Sequence, residues 1–451
     1  MRRTVCCAMR SVALLLLAGC SRTELPKDPL EARAQQFVTL ALQLGMHDRK
    51  EVDAYFGPAE LDSRNDSKPP SREMLRISAL KLLRDDERNP PPPDQADRAR
   101  ALEEQLRYFE ALLQMLTAET RMPFDEEAKR VYGIDAGAYD EEASLAPERV
   151  KQLDALLPGS GPVPFRVAKY RNQFVVPADK REKIFARAME ECRKRTLAHW
   201  QLPQDERLEV QFTRDVGAAW HKYEGGHRST LKVNPVAIAY LGQMIDVACH
   251  EGYPGHHAQF LIMESDAGPA GLPVELTVAL MRSPANVLRE GAANYGVDLA
   301  FPPEERLAFE RDVLFPMAGF PVAEAERHAE VHRHVTELAL SVMPILREYR
   351  DGVISFNTAT FRLEREAFIA SPAALLKFVD DLGAYSTGYT VARSAVRDHV
   401  ESVARAGEDP WVVLRQVVAG PQTSVLREKA PASVGDLSET RSVGLQRRTA
   451  P

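Results

Sequence analysis

The chain predicts a mainly α-helical protein with a small strand edge just ahead of its chemically richest segment. Three observations carry this. Apolar residues recur at helical spacing over most of residues 29–418. Strict alternation is confined to Leu208, Val210 and Phe212, and extended character returns over residues 229–233 after a Gly225-Gly226 turn. Proline and glycine punctuate the pattern, and no internal repeat interrupts it.

The elements follow in order. Arg2, Arg3 and Arg10 precede an apolar run from Val12 to Leu17 that is too short to span a bilayer. Leu17-Ala18-Gly19-Cys20 resembles a bacterial lipobox, in which the cysteine becomes the lipidated first residue of the mature chain. Residues 1–19 therefore read as a signal peptide and residues 20–28 as a tether lipidated at Cys20. Ser21, not Asp, follows the cysteine. By resemblance to Gram-negative lipoproteins, this implies an outer-membrane anchor with the body facing the periplasm. Losing three arginines takes the formal net charge from −7 to −10. No basic block, and no basic–aromatic patch, gives reason to expect nucleic acid.

Phe37, Leu40, Ala41 and Leu44 share a helical face, with Gly45 as a stop. Residues 62–71 read as a loop, and Pro90 to Pro93 as a stiff connector. Leu102, Leu106, Phe109, Leu113 and Leu116 mark a strongly amphipathic helix. Residues 120–177 have no clean period. A helix over 178–200 precedes the strand edge, and a motif helix over 236–251 follows it. From 254 to about 418 the pattern is helical, with breaks near Pro273, Pro284, Pro302, Pro321 and Gly352. Residues 421–451 are polar and aperiodic, and read as a mobile tail. This gives one domain over 29–420, with a helical layer packed on a catalytic half from about residue 200.

Cys6 and Cys7 leave with the signal, so only Cys192 and Cys249 remain beside the lipidated Cys20. An oxidising periplasm permits a disulfide between them; two buried free thiols are the open alternative. On a helix, Cys249 points about 100° away from His250, which favours packing over metal ligation.

Residues 250–257 read His-Glu-Gly-Tyr-Pro-Gly-His-His. Histidines flanking a glutamate at helical spacing can hold zinc and activate its water. The regular form places the second histidine four residues on, but position 254 is proline. On an unbroken helix His257 would share the face of His250 about 10 Å further along the axis, too far for one ion. Pro254 and Gly255 permit a break that draws one histidine back. His256 needs the shorter contraction and is favoured over His257, whose role would then be supporting or substrate-facing. Glu251 is placed as general base. Glu290, forty positions after His250 and followed by small residues, is the candidate third ligand.

Asn234-Pro235, the His250–His257 motif and Glu290-Gly291 with Tyr295 together resemble an uncharacterised bacterial family of predicted metallopeptidases, often lipoproteins. The similarity continues in Tyr385 and Gly388. That family is placed with the zincin-like clan whose third ligand is glutamate. The resemblance implies a large zincin-like helical fold and one Zn2+. The ion would be held by His250, one of His256 and His257, and Glu290, with Glu251 as base. The family commonly carries Trp two places after the ligand glutamate; this chain has Ala292.

Tyr385 and Tyr389, with Arg393 a turn beyond, are candidates to stabilise an oxyanion. The resemblance favours Tyr385, and helix packing is the alternative for both tyrosines. Tyr253 either lines the substrate cleft or packs on a neighbouring helix. His328, His332 and His334 stand among Glu326, Arg327, Arg333 and Glu337 and read as a solvated helix face. His221 and His227 flank the glycine turn and read as surface residues, with substrate contact as the alternative. There is no nucleophile elbow, phosphate loop or dinucleotide fingerprint. The expected function is a zinc-dependent hydrolase of peptides or other small amides, bound to the membrane through Cys20. The rival expectations are a non-catalytic envelope binding or scaffold lipoprotein, and a metal-dependent amidase or esterase acting on non-peptides.

Overall fold

A computed structural model describes residues 28–62, 68–88, 91–268, 271–420 and 423–427. The signal peptide, Cys20 and the tether up to residue 27 lie outside the described residues, as do residues 428–451.

Helix α1 (Pro29–His47) starts where the Asp28 carboxylate accepts the Leu30 amide at 2.9 Å, with proline at its first position. Phe37, Leu40, Ala41 and Leu44 are all buried, as their spacing predicts. The helix runs past Gly45 to His47, because tertiary packing overrides the weak helix propensity of one glycine. Strand β1 (Val52–Tyr55) follows, then the helices α2 (Arg72–Arg88) and α3 (Ala96–Thr117), which pack on each other. The apolar stripe of α3 is buried at Leu102, Leu106, Phe109 and Leu113, with Phe109 edge-on to Phe37. The aperiodic segment contains the short helices Phe124–Val131, Ala146–Leu156 and Val163–Arg171. Each has too few turns to print a clear period.

Helix α4 (Arg181–Leu197) leads into the strands β2 (Arg207–Phe212), β3 (Ala219–Gly225) and β4 (Arg228–Val233). Strand β4 is central, parallel to β2 and antiparallel to β3. Both expected extended segments are therefore strands; β3 was not expected, because its inward face is His221 and Tyr223 with no aliphatic alternation. Helices α5 (Leu241–Glu251) and α6 (His256–Asp266) carry the motif. The motif helix starts at 241 and not at 236: the Asn234 side-chain oxygen accepts the amides of Val236 and Ala237 and holds a turn there. A disulfide joins Cys192 of α4 to Cys249 of α5.

Strand β5 (Val278–Leu280) pairs antiparallel with β1. Helix α7 (Pro284–Ala300) is capped by Ser283, whose hydroxyl accepts the Asn286 amide, and is buried along most of its length. Gly291 sets its approach to α9 (Val391–Arg405): a Cβ there would stand 2.6 Å from the Ala392 backbone. Between them in sequence lies α8 (Ala325–Glu337), and α10 (Pro410–Ala419) follows α9.

One continuous apolar core spans both sides of residue 200. It also reaches beyond the expected boundary at 420. Thr423–Arg427 forms a 3-10 turn that buries Val425 and Leu426, and Arg427 pairs with Glu104. The start of the expected tail is thus part of the domain, because two apolar side chains suffice to anchor an otherwise polar segment. Among the described residues, no helix is long and apolar enough to cross a membrane.

Candidate metal centre

The site begins where α5 stops. Proline at 254 offers no amide hydrogen, and the chain turns back on the helix end. The Gly252 amide donates to the Ala248 carbonyl at 3.0 Å, and the Gly255 amide to the Cys249 carbonyl at 3.0 Å. A Cβ on Gly255 would lie 1.7 Å from the His250 carbonyl oxygen, so only glycine permits this closure. Helix α6 then starts at His256, and its ring centroid lies 4.7 Å from that of His250.

Helix α7 supplies the third group. Glu290 Oε2 is 3.2 Å from His250 Nε2, and Oε1 is 3.6 Å from His256 Nε2. The three side chains bring one donor atom each within 4.8 Å of one another. A tetrahedral cation with bonds of about 2.0–2.1 Å separates its ligands by about 3.3 Å, so these spacings fit one. Glu290 Oε2 is buried with His250 Nε2 beside it, and a cation held between the two would satisfy both atoms. The other Glu290 oxygen accepts from the Tyr385 hydroxyl at 2.8 Å, and that hydroxyl accepts from Asn286 Nδ2 at 3.0 Å. Tyr385 thus orients Glu290, and although it is buried it also lines the cavity onto which the cluster opens.

The electrostatics favour a cation. Burial would raise the Glu290 carboxyl, but His256 and His250 hold it well below the usual carboxylate range. Burial would likewise lower His256, but Glu290, Glu251 and Asp53 lift it to about 9. The Glu290 carboxylate thus faces both imidazoles, an arrangement that a bound cation would satisfy. The Glu251 carboxyl is pushed up by burial, against the opposing pull of His250 and His256.

These groups open onto a cavity of about 490 Å³, lined also by Asp53, Trp220, His221, Phe378 and Tyr389. Tyr389 is 39 % exposed, and its ring lies 6.3 Å from that of His250. Both tyrosines therefore line the cleft, Tyr389 being the more exposed of the two. Arg393 is not in the site; it pairs with Asp298 at 2.6 Å. His221 is no surface residue: it faces inward beside His256 at 5.9 Å, and burial pushes its ring well below the usual histidine range. His227 keeps to the turn and pairs with Asp205 at 2.9 Å. Asp53 was not foreseen, since nothing in β1 ties it by spacing to residues 250–290. Burial pushes its carboxyl up to about 6.

His257 turns away from the cluster. Its Nε2 is 3.0 Å from Glu206 Oε2 and its Nδ1 2.7 Å from Ser229 Oγ. Tyr253 does not line the cleft with His250; its hydroxyl donates to Glu206 at 2.7 Å. Burial would raise the Glu206 carboxyl, but His257, Tyr253 and Arg193 hold it down at about 2.

The expected solvated face on α8 is instead buried. His328 is 0 % exposed and contacts Glu310 at 3.0 Å, while His332 meets Asp246 at 3.2 Å. Arg306 joins them, donating to Asp246 at 2.7 Å, to Glu310 at 3.0 Å and to the Gly242 carbonyl at 2.9 Å. The charges near these histidines in sequence line the outer side of α8, and the partners come from elsewhere in the chain. This network braces α5 one turn before His250. Replacing Arg306 by Met leaves the buried Glu310 carboxylate and the partly exposed Asp246 short of a cation, and a stability loss of about 3 kcal/mol is expected in urea unfolding.

No family model matches the chain, and no curated protein does. The solved structures similar to this chain include two described as putative lipoproteins. One, from Colwellia psychrerythraea, is 14% identical with a TM-score of 0.50, over 90% of this chain and 76% of its own. The other, of unknown function and from Shewanella oneidensis, is 12% identical with a TM-score of 0.46, over 88% of this chain and 86% of its own. At this identity, the first likeness shows a shared mainly α fold and nothing about chemistry.

Proposed function

We propose that this chain is a zinc-dependent hydrolase acting on peptides. The observation that carries the reading is the convergence of His250, His256 and Glu290 on one point, with Glu251 lining the same cavity. Two imidazoles and a carboxylate form a donor set suited to zinc. A bound cation would supply a Lewis acid, polarising a carbonyl and acidifying water. Glu251 would take the proton from the attacking water at its carboxylate and return it to the leaving nitrogen. Tyr385, which holds Glu290 in place, and its neighbour Tyr389 both line the cavity, and a hydroxyl of this pair would donate to the developing oxyanion.

The sheet supports an extended substrate. Among the described residues β3 is an edge strand, paired with β4 alone, and Ala219, Trp220 and His221 line the cavity. A peptide could add its backbone to that edge and present a carbonyl to the cluster. The lipobox-like residues at Cys20 and the lipoprotein descriptions of those two structures support a lipid-anchored protein of the bacterial envelope. The Ser21 position favours the outer membrane, facing the periplasm.

The test is metal content followed by turnover. Wild-type protein is expected to carry about one zinc per chain by elemental analysis, and His250→Ala and Glu290→Ala to carry far less. Wild type is then assayed on a peptide library. Metal-free wild type would sink the mechanism. Bound zinc without turnover of any peptide would instead favour the binding or non-peptide readings.

A further inference from the structure

We infer that Glu206 is a positioning residue: its carboxylate clamps the break at residues 253–257 shut and so sets the spacing of His250 and His256. The inference rests on the reading of His250, His256 and Glu290 as a metal site. It adds a residue that lies outside the motif and carries no signal in the sequence.

The geometry is specific. Oε2 of Glu206 accepts from the Tyr253 hydroxyl at 2.7 Å and from His257 Nε2 at 3.0 Å. Tyr253 precedes the Pro254-Gly255 break and His257 follows it, so one oxygen ties both sides together. The other oxygen accepts from Arg193 Nε of α4 at 2.8 Å. Ser229 of β4 holds the far side of the His257 ring. A carboxylate can only accept, so Nε2 of His257 carries the hydrogen, and Nδ1 of the neutral ring accepts from Ser229.

The parts are buried: Tyr253 is 3% exposed, His257 is 0% exposed, and the Glu206 side chain is 4% exposed. His256 is the residue before His257, at the first turn of α6. Fixing the His257 ring therefore fixes the rotation of that turn, and with it the direction of His256. The disulfide at Cys249 holds the α5 side of the break against α4, the helix that also supplies Arg193. The clamp and the disulfide therefore reference both histidines to one helix.

The test is zinc affinity of the purified full chain, by competition with a chromogenic chelator, with Co2+ absorption spectra and melting curves alongside. Glu206→Ala and His257→Ala are expected to weaken zinc binding about 10–100-fold and to alter the Co2+ spectrum. Glu206→Gln, which keeps an acceptor, and His257→Gln, which keeps a donor at the Nε2 position, are expected to restore most of the affinity. Tyr253→Phe, which removes one donor and little volume, is expected to weaken it by a smaller factor; it carries the test if the alanine variants do not fold. Unchanged zinc affinity in folded Glu206→Ala, or in Tyr253→Phe where the alanine variants fail, would overturn the clamp and leave the metal site standing. Equal loss in Glu206→Gln and Glu206→Ala would overturn it too. A wild type that binds no zinc overturns the metal reading and the clamp together.

Discussion

Glu251→Gln is expected to keep its zinc and to lose peptide turnover by about 10²–10⁴-fold, the usual worth of a general base. Glu251 ends α5 next to His250 and lines the cavity, yet it is not one of the three converging groups. Its carboxyl is raised by burial, which makes it a stronger base than a solvated glutamate. Glutamine keeps the size and polarity and removes the proton acceptor. The check is steady-state kinetics on any peptide that wild type cleaves, with zinc measured on the same samples. Loss of zinc along with turnover would make Glu251 a ligand. Unchanged turnover would remove it from the chemistry.

That prediction uses residues readable in the sequence, and the site divides sharply on this point. His250, Glu251 and Glu290 were legible because helix geometry links motif position to direction, and because small residues follow Glu290. Spacing favours His256 over His257 only slightly, since an unbroken helix serves neither. The choice turns on Glu206, which lies forty-four residues before His250 and accepts from His257. Asp53 is hidden for a similar reason: its strand pairs with residues 278–280, far along the sequence, whereas His221 is visible only as one of two readings. The α8 histidines were misread because neighbouring charges suggested solvent, whereas burial depends on Arg306, Glu310 and Asp246 arriving from other helices. The fold class itself was legible, because helical periodicity is a local property. The strands β1 and β5 were not: four and three residues are too few to print a period.

Gly255→Ala is expected to cost more than its single methyl group suggests. The added carbon would meet the His250 carbonyl oxygen at 1.7 Å and the Cys249 carbonyl oxygen at 2.5 Å. Both are backbone atoms at the end of α5, and the disulfide at Cys249 restrains them. No side-chain rotation can relieve the contact, so the break itself must open. Overpacking of this kind costs about 1–3 kcal/mol. The larger effect falls on the site: a shift of about 1 Å between two groups that must act together can cost 10²-fold in activity. Gly255→Ala is therefore expected to fold with a lowered melting temperature and to lose about 10²-fold or more in zinc-dependent turnover. Gly217→Ala, where an added Cβ meets nothing within 4 Å, is the matched control and should be silent. If Gly255→Ala bound zinc and turned over like wild type, the closure of the chain on α5 could not be what brings His256 to His250. The pairing would then have to come from the packing of α6 against the sheet, through His257 and Ser229, with the glycine incidental to it.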